Sequence, residues 1–301
     1  MDLPAGHDHV GFIGVGTMGG EIAARLLHQG VPVLAWDTNP VALAAIEEKG
    51  AHVATSVKEV ADRCDVVFAS LPSPEICRAV ALGEDGVVSG HRVKVYLETS
   101  TLGGETIGAI AEGLEAQGVM VLDTPVVGGT WAVREGTVGV LVSGPEAAFT
   151  RARFALDAFA GRLFYLGTRP GQAQAAKVIN NAVAYAHVLS TCEAIALGMA
   201  AGLSMDTALA IINQGSGANF FSQRAFPATI QQGIYESGPI SNVIKDLKCF
   251  LEEAASLDMD TPVAQSLADV MRNIVATGSM QRDTMTIFHY FSDLAKLPRQ
   301  G

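Results

Sequence analysis

One stretch near the start of the chain, GFIGVGTMGGEIAARLL at residues 11–27, limits the fold more than any other. An apolar run typical of a buried strand leads directly into Gly14-x-Gly16-x-x-Gly19, and a segment of helical composition follows. Glycines at this spacing allow a tight turn and close packing of the helix on the strand. A strand followed at once by a helix begins a βαβ unit, which predicts a parallel sheet covered by helices.

The rest of the first half continues this alternation. Apolar runs typical of strands follow at VPVLAWD, DVVFASLP, KVYLETS, VMVLDTPV, TVGVLVSG and LFYLG, and helical stretches near 74–82, 103–117 and 145–158 separate most of them. After Gly167 the strand signals stop, and the turn sequence TRPG precedes a series of helical segments. The sequence therefore predicts an α/β protein in which a Rossmann-type doubly wound sheet (residues 1–168) is followed by an all-helical domain (residues 169–301).

The glycine loop also predicts a ligand. Gly14 permits the turn, Gly16 lets the backbone approach a pyrophosphate, and Gly19 allows the helix to pack closely, while the N–H groups at the helix start favour an anion. This spacing alone is a weak signal, because glycine-rich turns are common. Here a strand precedes it, a helix follows it, and a second strand comes next, so we expect a dinucleotide-binding loop.

Asp37 ends the second predicted strand, 21 residues after Gly16. An acid at this position accepts hydrogen bonds from the adenosine ribose and repels a 2′-phosphate. Residues 38–40 include no arginine that would receive such a phosphate. We therefore expect NAD rather than NADP, although the sequence also admits NADP. The alternative role for Asp37 is to cap the helix that begins near Pro40.

Composition narrows the range of partners. The formal net charge is −11 and there is no basic tract, which argues against binding of nucleic acid or an anionic membrane. No apolar run of membrane-spanning length is free of charges and helix breakers. The 4 cysteines form neither a CxxC pair nor a Cys/His cluster, so we expect reduced thiols, no metal site and a cytoplasmic location.

Three later stretches carry a resemblance to a known family. They are DTPVVGGTWAVREGTV at 123–138, GQAQAAKVINN at 171–181 and KDLKCF at 245–250. Together with the glycine loop, they make the sequence resemble the β-hydroxyacid dehydrogenase family, which includes 3-hydroxyisobutyrate dehydrogenases and tartronate semialdehyde reductases. The resemblance implies an oxidoreductase that transfers a hydride between NAD(P) and a small 3-hydroxy acid or semialdehyde, with a site between the two domains.

The resemblance also implies roles for individual residues. It places the cofactor against the glycine loop, the acid that ends the second strand-like run, the loop after the third run and two later positions. These residues are Gly14, Gly16, Thr17, Met18, Gly19, Asp37, Leu71, Pro72, Thr101 and Lys245. It places the substrate against Ser100, Gly128, Gly129, Asn181 and Lys245. Asp246 is expected to orient Lys245. For Leu71 and Pro72 a simple strand-terminating turn is an equal alternative, and for Lys245 the alternative is a solvated charge pair.

By the same resemblance, Lys177 is the catalytic residue. Oxidation of an alcohol requires the hydroxyl proton to leave, and reduction requires a proton to arrive, and a positioned lysine performs both transfers. Its neighbours Ala175, Ala176, Val178 and Ile179 are apolar, which disfavours the ammonium form. The alternative is a lysine whose amine extends to the surface from a buried helix.

Two residues depart from the family pattern. Val127 stands where the family has a serine that helps to bind the substrate carboxylate, and Trp131 is bulkier than the usual residue. An imine reductase, or a reductase of another carbonyl without a carboxylate, is therefore the alternative function, although Lys177 and Asn181 count against it. A non-catalytic dinucleotide-binding module is the alternative of another class. The apolar helical domain, by analogy with relatives, predicts a homodimer or a homotetramer.

Overall fold

The computed structural model describes residues 9–235, 237–278 and 280–297. The chain divides into two compact units, one ending at Lys177 and the other beginning at Val178. A single helix, Gln172–Ala200, runs through this division. The domain boundary at residues 168–169 stays a prediction.

The first unit is built on one nine-stranded sheet. Its strands are β1 (Val10–Ile13), β2 (Val33–Trp36), β3 (His52–Val53), β4 (Val66–Ala69), β5 (Val95–Glu98), β6 (Met120–Asp123), β7 (Val126–Val127), β8 (Gly139–Ser143) and β9 (Arg162–Gly167). The order is β3-β2-β1-β4-β5-β6-β8-β7, with β9 paired to β8. The first six strands of this order, β3-β2-β1-β4-β5-β6, are parallel to one another. The arrangement confirms the predicted Rossmann-type doubly wound sheet.

Strand β8 departs from the expected parallel arrangement. It pairs antiparallel with β6 and β7, and parallel with β9. The run VMVLDTPV, predicted as one strand, is divided into β6 and β7. Only one short helix, α6 (Thr130–Glu135), lies between β7 and β8. A parallel return needs a crossover of roughly a dozen residues or more, so this short connection favours antiparallel pairing.

Helices cover both faces of the sheet. The first unit also contains α1 (Thr17–His28), α2 (Pro40–Glu47), α3 (Val57–Arg63), α4 (Pro74–Leu82), α5 (Gly104–Glu115), α7 (Glu146–Phe159) and the start of α8 (Gln172–Ala200). Successive strand residues face opposite cores. One core includes Phe12, Phe68 and Leu97, and the other includes Ile13, Val67 and Tyr96. Burial on both faces explains why the strands are continuous apolar runs.

Helices account for almost all regular structure in the described part of the second unit. They are the rest of α8, α9 (Met205–Gln214), α10 (Ile240–Ser256), α11 (Pro262–Ala276) and α12 (Ile287–Leu294). An isolated bridge joins Pro239 to Asp283. Two π-helical segments, Phe221–Ala225 and Pro227–Gln231, follow α9, and Pro227, which has no N–H to donate, begins the second. The all-helical prediction for this part of the chain is confirmed.

Helix α8 is long and apolar. Its 29 residues contain a window with a mean hydropathy of 1.3, and 33% of that window is buried. By length and composition alone it is long and apolar enough to cross a membrane. The central helix of a globular domain has the same properties, so this feature does not identify a membrane protein.

Candidate active site

Each of the three glycines in the loop after β1 differs in whether the fold leaves room for a side chain. Gly14 has a φ of +85°, and a Cβ there would collide with the Ser70 carbonyl oxygen. A Cβ on Gly19 would collide with the Gly14 carbonyl oxygen. Gly16 is exposed, and a Cβ on it would meet nothing within 4 Å. Gly14 and Gly19 are thus required by the fold, whereas Gly16 leaves open space beside the loop.

That space lies at the start of α1. Gly16 is the N-cap residue, no side chain caps the helix, and its first turn contains no acidic residue. Thr17 is exposed, and Met18 packs partly against the core. A helix start with N–H groups directed outward and no acid nearby suits a phosphate. The loop therefore fits the pyrophosphate of a dinucleotide.

Asp37 is bonded to the glycine loop. Its Oδ2 accepts a hydrogen bond of 2.8 Å from Val15 N, and its Oδ1 accepts one of 2.8 Å from Asn39 N. The alternative role as a helix cap is wrong, because Asn39 caps α2 by accepting from Val41 N at 3.0 Å. Each Asp37 oxygen has a second lone pair, and the side chain is partly exposed. The carboxylate can therefore also accept hydrogen bonds from a ribose.

A cavity of about 350 Å³ opens beside the end of β2. Trp36, Ile76 and Val80 supply apolar surface, and Thr55, Ser56 and Asp85 supply polar atoms. A flat heteroaromatic ring fits a lining of this kind, in which apolar walls carry a few polar groups. The cavity has the chemistry expected for the adenine end of a dinucleotide.

Ser100 follows β5 and is held from two sides. Its Oγ accepts a hydrogen bond of 2.8 Å from Leu71 N, and its own N–H donates to Glu98 Oε1 at 3.0 Å. The Ser100 side chain is also hydrogen-bonded to Glu98, and burial raises the pKa of this glutamate. Ser100 therefore joins the loop after β4 to the loop after β5. Pro72 is exposed and Thr101 is half-buried in these same loops.

The start of α8 is fixed to the sheet by side chains from distant strands. Asp123, at the end of β6, accepts hydrogen bonds from Gly171 N (3.1 Å) and Gln174 N (2.9 Å). Ser143, at the end of β8, accepts from Ala173 N at 3.0 Å. These contacts satisfy backbone donors of the first helical turn that have no partner inside the helix. They hold the helix that carries Lys177 at the carboxyl end of the strands.

Lys177 lies in the second turn of α8, immediately after this anchor. It is half-buried, with Val178 buried and Ile179 exposed beside it. It is also the last residue of the first unit. The sheet edge that holds its helix also carries Ser100, as expected for ligand sites beyond the carboxyl ends of parallel strands.

The second motif forms the turn between β7 and α6. Gly128 is exposed and has a φ of +125°, in the region that favours glycine. Gly129 is the N-cap residue of α6, and a Cβ on it would lie 2.8 Å from the Trp131 ring. The Trp131 ring thus lies against the Gly129 backbone. Val127 pairs with Gly139 of β8, and its aliphatic side chain adds no hydrogen-bonding group to this turn.

Asn181 and Lys245 lie in the second unit, and both bond to Asp246. Asn181 Nδ2 donates to Asp246 Oδ2 at 2.7 Å, and Lys245 Nζ donates to Asp246 Oδ1 at 2.7 Å. Tyr185 Oη donates to the same Oδ2 at 2.8 Å. Asp246 is buried, so it holds both side chains in fixed orientations. The contact expected between Asp246 and Lys245 is present, and the part played by Tyr185 was missed.

Two further residues escaped the sequence reasoning. Asp123 lies in the motif at 123–138 and Gln174 in the motif at 171–181, and the sequence assigned neither of them a role. The available signal was an acid at the end of a strand, a position where α/β sheets bind ligands. Among the described residues, no group of three His, Cys, Asp or Glu side chains is placed to hold a metal ion.

Two family models match successive parts of the chain. Residues 9–167 match the NAD binding domain of 6-phosphogluconate dehydrogenase. Residues 171–291 match the family described as NAD-binding of NADP-dependent 3-hydroxyisobutyrate dehydrogenase. The chain belongs to the β-hydroxyacid dehydrogenase family. This β-hydroxyacid dehydrogenase binds NAD(P) and is an oxidoreductase acting on a CH–OH group, which confirms the predicted class and cofactor.

Individual relatives agree with this assignment. The chain is 31% identical to 3-hydroxyisobutyrate dehydrogenase of Pseudomonas aeruginosa, with 96% of this chain and 98% of that protein covered. It is 27% identical to L-threonate dehydrogenase of Cupriavidus necator, over 94% and 96%. The crystal structure of 3-hydroxyisobutyrate dehydrogenase from Salmonella typhimurium has a TM-score of 0.84 and 28% identity, and the match covers 94% of this chain and 99% of that one.

Proposed function

We propose that this β-hydroxyacid dehydrogenase interconverts a small 3-hydroxy acid and its semialdehyde, with Lys177 as the general acid and base. The observation that carries the proposal is the anchoring of the Lys177 helix. Asp123 and Ser143 hold its first turn at the carboxyl end of the sheet, next to the loop that contains Ser100. A proton donor needs such fixed placement to act on a reacting oxygen.

The chemistry divides between cofactor and protein. NAD(P), when bound, accepts or supplies the hydride. The Lys177 amine takes the hydroxyl proton during oxidation of the alcohol and returns it to the oxygen during reduction. The anchored first turn of α8 fixes the backbone from which this side chain extends.

The substrate contacts proposed for the first unit are mainly backbone groups. The N–H groups of Gly128 and Gly129 are suited to the acid's carboxylate, and Ser100 holds the neighbouring loop in place. Asn181 and Lys245 belong to the second unit and stay predictions. Because Val127 offers no hydroxyl, we propose an acid whose substituent near this side chain is apolar.

For the cofactor, we propose a preference for NAD over NADP. Asp37 is held beside the glycine loop by its bond to Val15 N, so its charge stays near the ribose position. A second negative charge there, such as a 2′-phosphate, would be repelled. Thr38, Asn39 and Pro40 provide no compensating cation.

We propose a cytoplasmic homodimer or homotetramer that acts on a small molecule, without nucleic acid or membrane partners. The net charge of −11 opposes binding to anionic polymers and lipids. Along α8, Ile179, Val183 and Leu197 are 57%, 53% and 68% exposed. Apolar side chains repeated along one helix favour burial against another copy of the chain. Sedimentation velocity tests this proposal, and a monomer at micromolar concentration would contradict it.

A substrate panel tests the reaction. Initial rates of NADH or NADPH formation are measured with 3-hydroxyisobutyrate, L-threonate and 3-hydroxypropionate, each with NAD and with NADP. Cyclic imines with NADH or NADPH form the comparison set. We expect the highest kcat/KM with a 3-hydroxy acid and NAD. Faster turnover of an imine would favour the alternative reductase, which the missing hydroxyl at Val127 motivates. Dinucleotide binding without turnover of either set would favour a non-catalytic module.

A further inference from the structure

The side chain of Gln174 forms four hydrogen bonds in a fully buried position. Its Oε1 accepts from Leu102 N at 2.8 Å and from Gly103 N at 3.2 Å. Its Nε2 donates to Ser100 O at 3.0 Å and to Asp123 Oδ1 at 2.7 Å. An amide has two donors and two acceptor lone pairs, so every position is used.

These bonds join parts of the chain that are distant in sequence. Three of them bind the loop at residues 100–103, between β5 and α5, to the first turn of α8. The fourth binds the same amide to Asp123 at the end of β6. The loop at 100–103 and the helix that carries Lys177 therefore share one rigid connection.

We propose that Gln174, oriented by Asp123, is a positioning residue that holds Lys177 and the loop at 100–103 in the arrangement needed for hydride transfer. This inference rests on the proposed function of Lys177. Gln174 itself is buried within the protein, so it acts on the reaction only through the groups that it holds. Hydride transfer itself requires no amide at this position, so the role of Gln174 is one of positioning.

The chemistry of Asp123 specifies which way the amide points. The partners of Asp123 are Gln174, Gly171 N and Ser143 Oγ, and all of them are neutral donors. Its in-register neighbour on β5 is Glu98, which bonds to Tyr96 Oη, Ser100 and Cys77.

A carboxylate acceptor at Oδ1 requires the nitrogen side of the Gln174 amide to face it. If the amide turned over, its oxygen would face this carboxylate, and its nitrogen would face the N–H groups of Leu102 and Gly103. Asp123 therefore orients the amide. Burial raises the pKa of Asp123 to about 7, so the bonded pair contains a group that titrates near neutrality.

Three variants test the proposal. Gln174→Leu removes all four bonds with similar volume, and Gln174→Glu keeps the shape but replaces the nitrogen donor with a carboxyl oxygen. Gln172→Leu is the matched control, because Gln172 lies in the same turn of α8 and is exposed. Each protein is assayed for kcat with NAD and the best acid of the panel, and for NADH affinity by fluorescence titration.

We expect Gln174→Leu to lower kcat by about 100-fold, because a displacement of roughly 1 Å at the reacting groups has an effect of that size. Gln172→Leu should keep wild-type kcat and wild-type NADH affinity. For Gln174→Glu, the kcat relative to wild type should rise as pH is lowered from 8 to 6. A proton shared between the introduced acid and Asp123 restores a hydrogen bond between them, whereas a defect of packing alone would give a ratio independent of pH.

Hydrogen exchange provides a measurement that does not depend on turnover. Peptides that contain Leu102 and Gly103 should exchange faster in Gln174→Leu than in wild type, with and without NADH, because both N–H groups lose their acceptor. If Gln174→Leu does not fold, the pH-dependent ratio for Gln174→Glu decides the question. A Gln174→Leu protein with wild-type kcat, or a Gln174→Glu ratio that is constant with pH, overturns the proposal.

The proposed function fails in a different way. If Lys177→Met retained full kcat, Lys177 would not be the acid and base, whatever Gln174 does. If Lys177→Met were impaired while Gln174→Leu was not, only the positioning role would be wrong.

Discussion

Replacing Asp123 by asparagine should change how the stability of the first unit depends on pH. Asp123 is fully buried, and burial raises its pKa from 3.8 to about 7 in spite of the hydrogen bonds that it accepts. The native state therefore binds more protons than the unfolded state between these two values. The contribution of Asp123 to stability is fully present below its unfolded-state pKa and is lost as pH rises through about 7.

The size of this effect follows from the two pKa values. Each unit of difference corresponds to about 1.4 kcal/mol, so the whole window amounts to about 4 kcal/mol. Between pH 5 and pH 8, where measurement is practical, the difference in unfolding free energy between wild type and Asp123→Asn should fall by about 3 kcal/mol. Glu98, whose pKa is also raised by burial, is present in both proteins and cancels in this comparison.

Urea unfolding followed by tryptophan fluorescence measures this difference. The chain has 2 tryptophans, Trp36 and Trp131, and both lie in the first unit, so the signal reports on the part that contains Asp123. Glu115→Gln, at an exposed position on α5, serves as the control and should give a constant difference. A difference between wild type and Asp123→Asn that stays constant, or increases with pH, would refute the assignment of a buried, proton-binding carboxyl.

Other variants separate the roles of the fold from those of the ligands. Gly14→Ala should destabilise the first unit by roughly 1–3 kcal/mol in urea unfolding, because its φ is positive and a Cβ has no room. Gly16→Ala should leave stability within about 0.5 kcal/mol, since a Cβ there meets open space, yet weaken NADH binding in a titration; equal stability losses would contradict this contrast. Asp37→Ser should raise the kcat/KM ratio of NADP to NAD roughly tenfold by removing charge repulsion, and an unchanged ratio would show that Asp37 does not select the cofactor. Asp246→Asn should raise the KM for the acid roughly tenfold, because Asn181 and Lys245 both lose their charged acceptor; an unchanged KM would remove both from the list of substrate contacts.

Local patterns predicted the cofactor half of the protein well. The loop geometry at Gly14 and the bond that ties Asp37 to the loop depend on residues close to the ends of two adjacent parallel strands. Fixed glycine spacing and an acid about 20 residues later capture this arrangement because the βαβ unit is nearly invariant in its geometry. The same reasoning predicted the helical second unit from its composition.

Local sequence patterns did not predict the contacts between residues that are distant in the sequence. Gln174 bonds to Leu102, 72 positions earlier, and to Asp123, 51 positions earlier, and no local periodicity encodes either pairing. The antiparallel pairing of β8 also depends on where β6 ends and on the short α6 connection. The two-residue strand β3 was missed because it is too short to give a periodic signal.

Single-turnover kinetics of Lys177→Met test the central claim most directly. Methionine keeps the length and apolar stem of the side chain and removes the amine. With NAD and the best acid of the panel, the rate of hydride transfer should fall by about 100- to 10,000-fold, while NADH affinity and unfolding midpoint match those of wild type. Lys248→Met, at an exposed position on α10, should transfer hydride at the wild-type rate. A Lys177→Met protein that transfers hydride at the wild-type rate would contradict the account.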